Sequence, residues 1–255
     1  SGMEVDYWDN QRINSRFIYD FTLNAFLFNR DIIKLSYNRI APQVFKYDDH
    51  LVSNYELYKN KATGKYKFVI FHLMGQHIDA EERYPHDHFS RFSAKDIHKE
   101  APYMTETKRQ DIANYDNATY YNDSVVNHII DLYRDENTVV VYCSDHGEEI
   151  YDYRDSEGRI DPGPGELRNY LRYQYEVPFV IWCSDKYKTL HPHTIHRIKA
   201  ALNRPFMTDN ICQLLFDLAS LQTIYYRPER DIISPRFKPS KRIIYDNIDY
   251  DAVMR

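Results

Sequence analysis

The stretch VVVYCSDHGEEIYDYRD, residues 139–155, decides how the rest of the chain is organised. Val139 to Tyr142 are β-branched or aromatic and carry no charge, the pattern of a strand buried on both faces. Ser144, Asp145, His146, Gly147, Glu148 and Glu149 follow at once. In an open α/β sheet, ligands gather beyond the carboxyl ends of the strands. Here a carboxylate and an imidazole stand at such an end. Oxygen and nitrogen donors of this kind suit zinc or manganese, and Gly147 permits the tight turn that two adjacent ligands need. An acidic surface turn holding a hydrogen-bonded histidine has the same spelling. On spacing alone both readings stand.

The same strand-to-loop pattern occurs upstream. KYKFVIFHLMG, residues 65–75, is a compact apolar run ending in Gly75, with His77 two residues beyond. By itself His77 reads as a surface histidine. Two strands of one sheet that both end in histidine-bearing loops can converge, and convergence makes a metal site. His72 lies inside the run and reads as a core or supporting histidine. A third strand is expected in VPFVIWCSD, residues 177–185.

Between these runs, residues 106–135 form the longest periodic segment. Ile112, Tyr115, Tyr120, Val125, Ile129 and Leu132 are expected to share one face of a helix. Helices are also expected over 192–202 and 208–221, the second capped by Thr208 or Asp209. Residues 15–35 read as an amphipathic helix, residues 43–60 as a polar connection, and residues 147–176 as a long polar loop. Loops of that length are usually functional or mobile. The order of elements argues an α/β fold with a mostly parallel central sheet flanked by helices. The chain reads as a single domain over 1–255. It has a helical and connecting segment at 1–64, a motif-bearing core at 65–225 and a tail at 226–255.

Composition excludes several classes. The 255 residues can bury a sizeable core, and 43% hydrophobic residues are too many for a disordered chain. A formal charge of −5 without a basic block argues against nucleic acid as a partner. SPRFKPSKR, residues 234–242, is short, broken by proline and read as a solvated tail. Cysteines 143, 183 and 212 read as free thiols. Cys143 lies within a strand without an identifiable base and is not expected to be a nucleophile. No apolar run is long enough to cross a membrane. The opening Ser1-Gly2-Met3 reads as the remnant of a cleaved tag. His86 and His88 in PHDHF, and His191, His193 and His196 in LHPHTIH, read as surface histidines. No GxSxG, Walker A or GxGxxG motif is present.

The order of motifs resembles the catalytic domain of the phosphoethanolamine transferases that modify lipid A or core lipopolysaccharide. These belong to the sulfatase branch of the alkaline phosphatase superfamily, with the mobile colistin-resistance enzymes. The residues that carry the resemblance are HLMGQH (72–77), RYP (83–85), YDNATYYND (115–123), SDHGEE (144–149), VPFVIW (177–182) and TDNICQLLFDL (208–218). They span residues 65–225 or so.

The resemblance implies an alkaline phosphatase-like fold and a metal-dependent transferase. Asp145 and His146 would bind zinc, with manganese, magnesium or calcium as other candidates. His77 would line a second-metal or substrate-phosphate position. The reaction would pass phosphoethanolamine from a phospholipid donor to lipopolysaccharide or another glycan acceptor through a phospho-threonine. The parent would face the periplasm from the bacterial inner membrane, held there by a segment preceding this chain. Two departures bear on activity. The family's nucleophilic threonine and a metal-binding glutamate precede a segment that here is DYWDNQ (6–11), so both are expected upstream of this chain. Thr22 and Thr63 lack the matching surroundings. The family also places a histidine in the loop after DHGE, whereas residues 147–176 contain none; Asp161 stands near its place. The isolated chain is therefore expected to be inactive as a transferase. A sulfatase or phosphodiesterase of the same superfamily, or a binding module without a metal centre, are the other readings.

Overall fold

Trp8 and Tyr7 at the centre of MEVDYWD begin the fold. In the computed structural model, residues 2–11, 37–61, 64–77, 79–244 and 247–255 are described. The helix expected at 15–35 lies outside them, as do Thr22 and Thr63. Two compact units divide the chain, Ser1–Leu132 and Tyr133–Arg255.

In the first unit, β1 (Met3–Asp9) pairs in parallel with β2 (Arg39–Ile40) on one side. On the other it pairs in parallel with β3 (Tyr66–His72), from Met3 opposite Tyr66 to Asp9 opposite His72. The strand at 65–75 is thus found, in a parallel sheet as expected. β1 is the central strand, and sequence reasoning missed it. Its two aspartates disguise it, since a buried charge argues against a strand unless it is matched. Both are matched. The Arg39 guanidinium closes a two-pronged ion pair on Asp6, which raises the Arg39 pKa, first through the hydrogen bond. Asp9 Oδ1 lies 2.9 Å from His72 Nδ1.

The expected connection at 43–60 is instead helix α1 (Asp48–Lys59). Its acidic start, Asp48 and Asp49, favours a helix N-terminus, and Leu51, Val52 and Tyr55 are buried at helical spacing. A short helix α2 (His86–Phe89) follows RYP. The long helix α3 (Glu106–Tyr133) matches its expected span. Its buried face differs from the expected one. Val125 and Ile129 are buried, but Tyr120 is 40% exposed. The face is completed by Ala113, Ala118, Tyr121 and the asparagines 114, 117 and 122. Asn117 explains why polar residues belong there: its Oδ1 accepts from the backbone of Arg91 and Phe92 at 2.8 Å each, and its Nδ2 donates to Phe92 O at 2.9 Å. Val52, Tyr84, Ala118, Tyr121, Val125 and Ile129 form one apolar cluster.

In the second unit, β4 (Val139–Cys143) pairs with β7 (Phe179–Cys183). This pair is antiparallel, from Val139 opposite Cys183 to Cys143 opposite Phe179. Apolar runs identify strands but not their direction, which the connection sets. That connection, expected as an unstructured loop, holds the hairpin β5 (Glu149–Ile150) and β6 (Glu157–Gly158), then helix α4 (Leu167–Tyr175). Helices α5 (Asp185–Leu190) and α6 (Pro192–Ala200) follow, then α7 (Ile211–Leu218), β8 (Ile243–Ile244), β9 (Ile248–Asp249) and α8 (Tyr250–Met254). A single 3₁₀ turn at Thr208–Asn210 leads into α7, so neither Thr208 nor Asp209 caps it; Asn210 stands at that position without a side-chain bond. Ile232 and Ile233 join Ala201 and Leu214 in this unit's core. Burial thus continues through Ser234, and the solvated stretch starts at Pro235.

Candidate metal centre

Asp145 and His146 stand immediately beyond β4, on a turn fixed by backbone contacts. Gly147 N donates to Gln174 O on α4 at 3.0 Å. A Cβ at Gly147 would sit 2.2 Å from Tyr173 O, so only glycine allows this approach. Ser144 Oγ donates to His146 O at 2.7 Å, closing the turn from the other side.

Within the turn, His146 Nδ1 lies 2.8 Å from Gly147 O. That bond requires the proton on Nδ1 and leaves the Nε2 lone pair free to bind a cation, the arrangement that orients ligand histidines. Nε2 is 3.6 Å from Asp145 Oδ2. Two tetrahedral zinc ligands at usual bond lengths stand about 3.3 Å apart, so the pair fits two corners of one ion. Asp145 is 81% exposed at its side chain and His146 28%. Among the described residues no group of three or more His, Cys, Asp or Glu is arranged to hold a metal. The donor chemistry of the pair fits zinc, as two of the four ligands that a tetrahedral site takes.

The neighbouring groups follow from burial. Burial, with the Asp145 charge, pushes the Cys143 thiol up, so it stays protonated and inert near neutral pH. Burial also pushes Glu148 up, while His146 and Arg159 oppose this. Glu149 is fully buried and meets Arg154. The Arg154 side chain donates to both Glu149 oxygens at 3.0–3.1 Å, to Glu166 Oε2 at 2.8 Å, and to the carbonyls of Ile160 and Asp161 at 2.8 and 3.1 Å. One guanidinium thereby ties β5, the following loop and the segment before α4 together. Asp161 meets this brace through its backbone carbonyl, and its residue is exposed. Sequence reasoning missed the brace. The signal was there in Arg154 and Arg159, the two arginines between Glu149 and Glu166, but charge spacing along a loop has no fixed period.

In the first unit, the HLMGQH turn is held by the first residue of α1. The buried Asp48 carboxylate accepts from Met74 N at 3.0 Å, from Gly75 N at 2.9 Å and from Asn10 Nδ2 at 2.7 Å. Gly75 takes a φ of +57°, which its lack of a side chain permits. His77 is exposed, and its backbone is fixed by Met74 O at 3.1 Å and Arg83 Nε at 3.1 Å. His72 is half-buried against Asp9 and Tyr7, the supporting place expected of it.

Known proteins share this framework. The phosphoethanolamine transferase EptC of Escherichia coli O18:K1:H7 is 32% identical over 219 residues, covering 82% of this chain and 36% of the relative. CptA of Salmonella typhimurium, also a phosphoethanolamine transferase, is 33% identical over 218 residues, with the same shares covered. The chain thus spans about a third of these relatives' length. Among solved structures, the C-terminal periplasmic domain of EcEptC from Escherichia coli in complex with Zn matches with a TM-score of 0.77 at 26% identity, covering 98% of this chain and 69% of that one. The Sulfatase family model matches residues 2–219. The chain belongs to the sulfatase family.

Proposed function

We propose that this chain is the C-terminal part of the catalytic domain of a phosphoethanolamine transferase. Its parent passes the group from a phospholipid to lipopolysaccharide, lipid A or a related surface glycan, at the periplasmic face of the bacterial inner membrane. The observation that carries the reading is the Asp145–His146 pair beyond β4, with Nε2 3.6 Å from Oδ2 and Nδ1 held by Gly147 O, in a chain whose relatives are named phosphoethanolamine transferases. Among the described residues no helix is long and apolar enough to cross a membrane.

In this reading Asp145 Oδ2 and His146 Nε2 hold zinc. His146 Nδ1 donates to Gly147 O, which aims Nε2 at the ion. When bound, zinc lowers the pKa of a nucleophilic hydroxyl and stabilises charge on phosphorus. His77 is a candidate to line the substrate phosphate or a second metal, and Asp161 is a separate candidate for an oxygen ligand. The nucleophile and the remaining ligands come from a preceding segment, so the isolated chain binds zinc weakly and transfers nothing.

Zinc titration by calorimetry tests the site. The expected result is weak binding by the chain, lost in Asp145→Asn and in His146→Gln. Binding that survives both substitutions would remove the assignment. Transfer of labelled phosphoethanolamine by the 255-residue protein would overturn the division of the site between two segments.

A further inference from the structure

Charge is segregated along this chain. Residues 222–242 hold six Lys or Arg and only two acids, in a protein whose formal charge is −5. One of those acids, Asp231, is fully buried. The side chains of Arg230, Arg236 and Lys238 have no acidic partner among the described residues, and all three residues are exposed. Arg236 and Lys238 lie in the stretch 234–242 that reads from sequence as a solvated tail, of which Ser234 is buried.

Apolar residues are exposed in the neighbouring loops. Ile224 is 81% exposed, Tyr225 69% and Leu202 78%. These tips belong to loops that are tied down. Gln213 on α7 donates to Tyr225 O at 3.4 Å and accepts from Arg227 N at 2.6 Å. The Arg227 side chain returns to Ile224 O at 2.6 Å. Lys238 N donates to Glu229 O at 2.9 Å, joining the two basic loops. Arg204, two residues from Leu202, donates to Ile232 O and Ser234 O at 2.6 and 2.9 Å and lies 5.5 Å from the Phe237 ring centroid. The three loops therefore form one pre-shaped surface with apolar tips and unpaired cations.

We propose that this surface, carried by residues 202, 224–225 and 230–238, docks the second unit on an anionic phospholipid bilayer. Exposed Ile, Leu and Tyr insert at the headgroup boundary, where Tyr keeps its hydroxyl in water. The cations meet lipid phosphates, and the two signals together hold where either alone is weak. With Asp231 buried, Glu229 is the one exposed acid among the six cations of residues 222–242, so this stretch is positive although the whole chain is negative. A protein partner is disfavoured because three exposed apolar residues make a small apolar area beside three unpaired cations. The inference goes beyond the transferase reading, and vesicle binding is read without any turnover.

Co-sedimentation of the 255-residue protein with vesicles is the test. The expected result is binding to phosphatidylglycerol-containing vesicles, release by high salt, and no binding to pure phosphatidylcholine. Substituting Arg230→Gln, Arg236→Gln and Lys238→Gln together should weaken binding on the order of a hundredfold, at about fivefold per cation. Ile224→Ser with Tyr225→Ser should also weaken it, with the circular dichroism of both variants unchanged. Equal binding to both vesicle types, retention by both variants, or no binding to anionic vesicles would each overturn the proposal. The last would return the surface to solvent or to a protein partner.

Discussion

Gly147→Ala tests whether the Asp145–His146 turn is built as described. Gly147 lacks the positive φ that reserves other positions for glycine, so backbone strain is not the cause. The obstacle is contact. The added Cβ would lie 2.2 Å from Tyr173 O, with the carbonyl carbons of Tyr173 and Gln174 at 3.0 Å. Backbone atoms of a helix end cannot rotate away as a side chain can. The turn must back off by about 1 Å to reach ordinary contact distance, which also breaks the 3.0 Å bond from Gly147 N to Gln174 O. Overpacking costs about 1–3 kcal/mol and the lost bond about 1 kcal/mol. A total of about 2–4 kcal/mol is expected in urea denaturation followed at Trp182, which lies in β7 of the same unit. Zinc affinity should fall on the order of tenfold or more as the ligand pair turns away from its orienting bond. Gly165→Ala is the control: its φ is +81° and no atom lies within 4 Å of the added carbon, so it carries a strain of about 1 kcal/mol and leaves zinc binding intact. A Gly147→Ala protein within about 0.5 kcal/mol of the parent, with unchanged zinc affinity, would refute the docking of the turn on α4.

Two further outcomes are expected. Arg154→Met leaves the Glu149 carboxylate buried without its partner, which should cost about 3–5 kcal/mol; replacing both, as Arg154→Met with Glu149→Gln, should recover part of that loss, and a double variant no better than the single one would refute the brace. Asp231 is raised to about 6, first by burial and then also by the Asp217 charge, against hydrogen bonds from Tyr226 and Ile233. An acid whose folded pKa lies above its ordinary value stabilises the fold at low pH, and that stability is lost as pH rises from about 4 through about 6. Asp231→Asn retains an acceptor for Ile233 N and removes the repulsion, so its urea midpoint should fall less than the parent's between pH 4.5 and 7.5; parallel pH profiles for the two proteins would exclude Asp231 as the cause.

The fold was legible wherever burial left an apolar run. β3, β4 and β7 each carry four or more apolar residues in succession, and α3 its period. What was missed is polar and buried at once. β1 hides two aspartates that Arg39 and His72 satisfy, α1 opens on an aspartate that turns away from its own helix to hold HLMGQ, and α3 buries three asparagines. A hydrophobicity pattern sees the residue, while satisfaction of its hydrogen bonds is a long-range fact. The strand directions were hidden for the same reason, because they depend on partners rather than on spelling.

The candidate site divides along that line as well. SDHG states its donors in four letters, and the turn delivers them at 3.6 Å with the imidazole tautomer set. Nothing in those letters names Gln174 or Tyr173, whose carbonyls position the turn, nor Arg154, which braces the loop beyond it. Those groups come from α4 and from the stretch that reads as structureless. The sequence motif thus specifies the candidate donor atoms, and the unremarkable loop specifies where they stand. A loop that fixes ligands through main-chain contacts can change nearly every side chain and keep the site, provided Gly147 and the Arg154–Glu149 pair remain. Its length is then explained by structure: it has to form a hairpin, close an arginine brace and enter a helix before β7 can return antiparallel to β4.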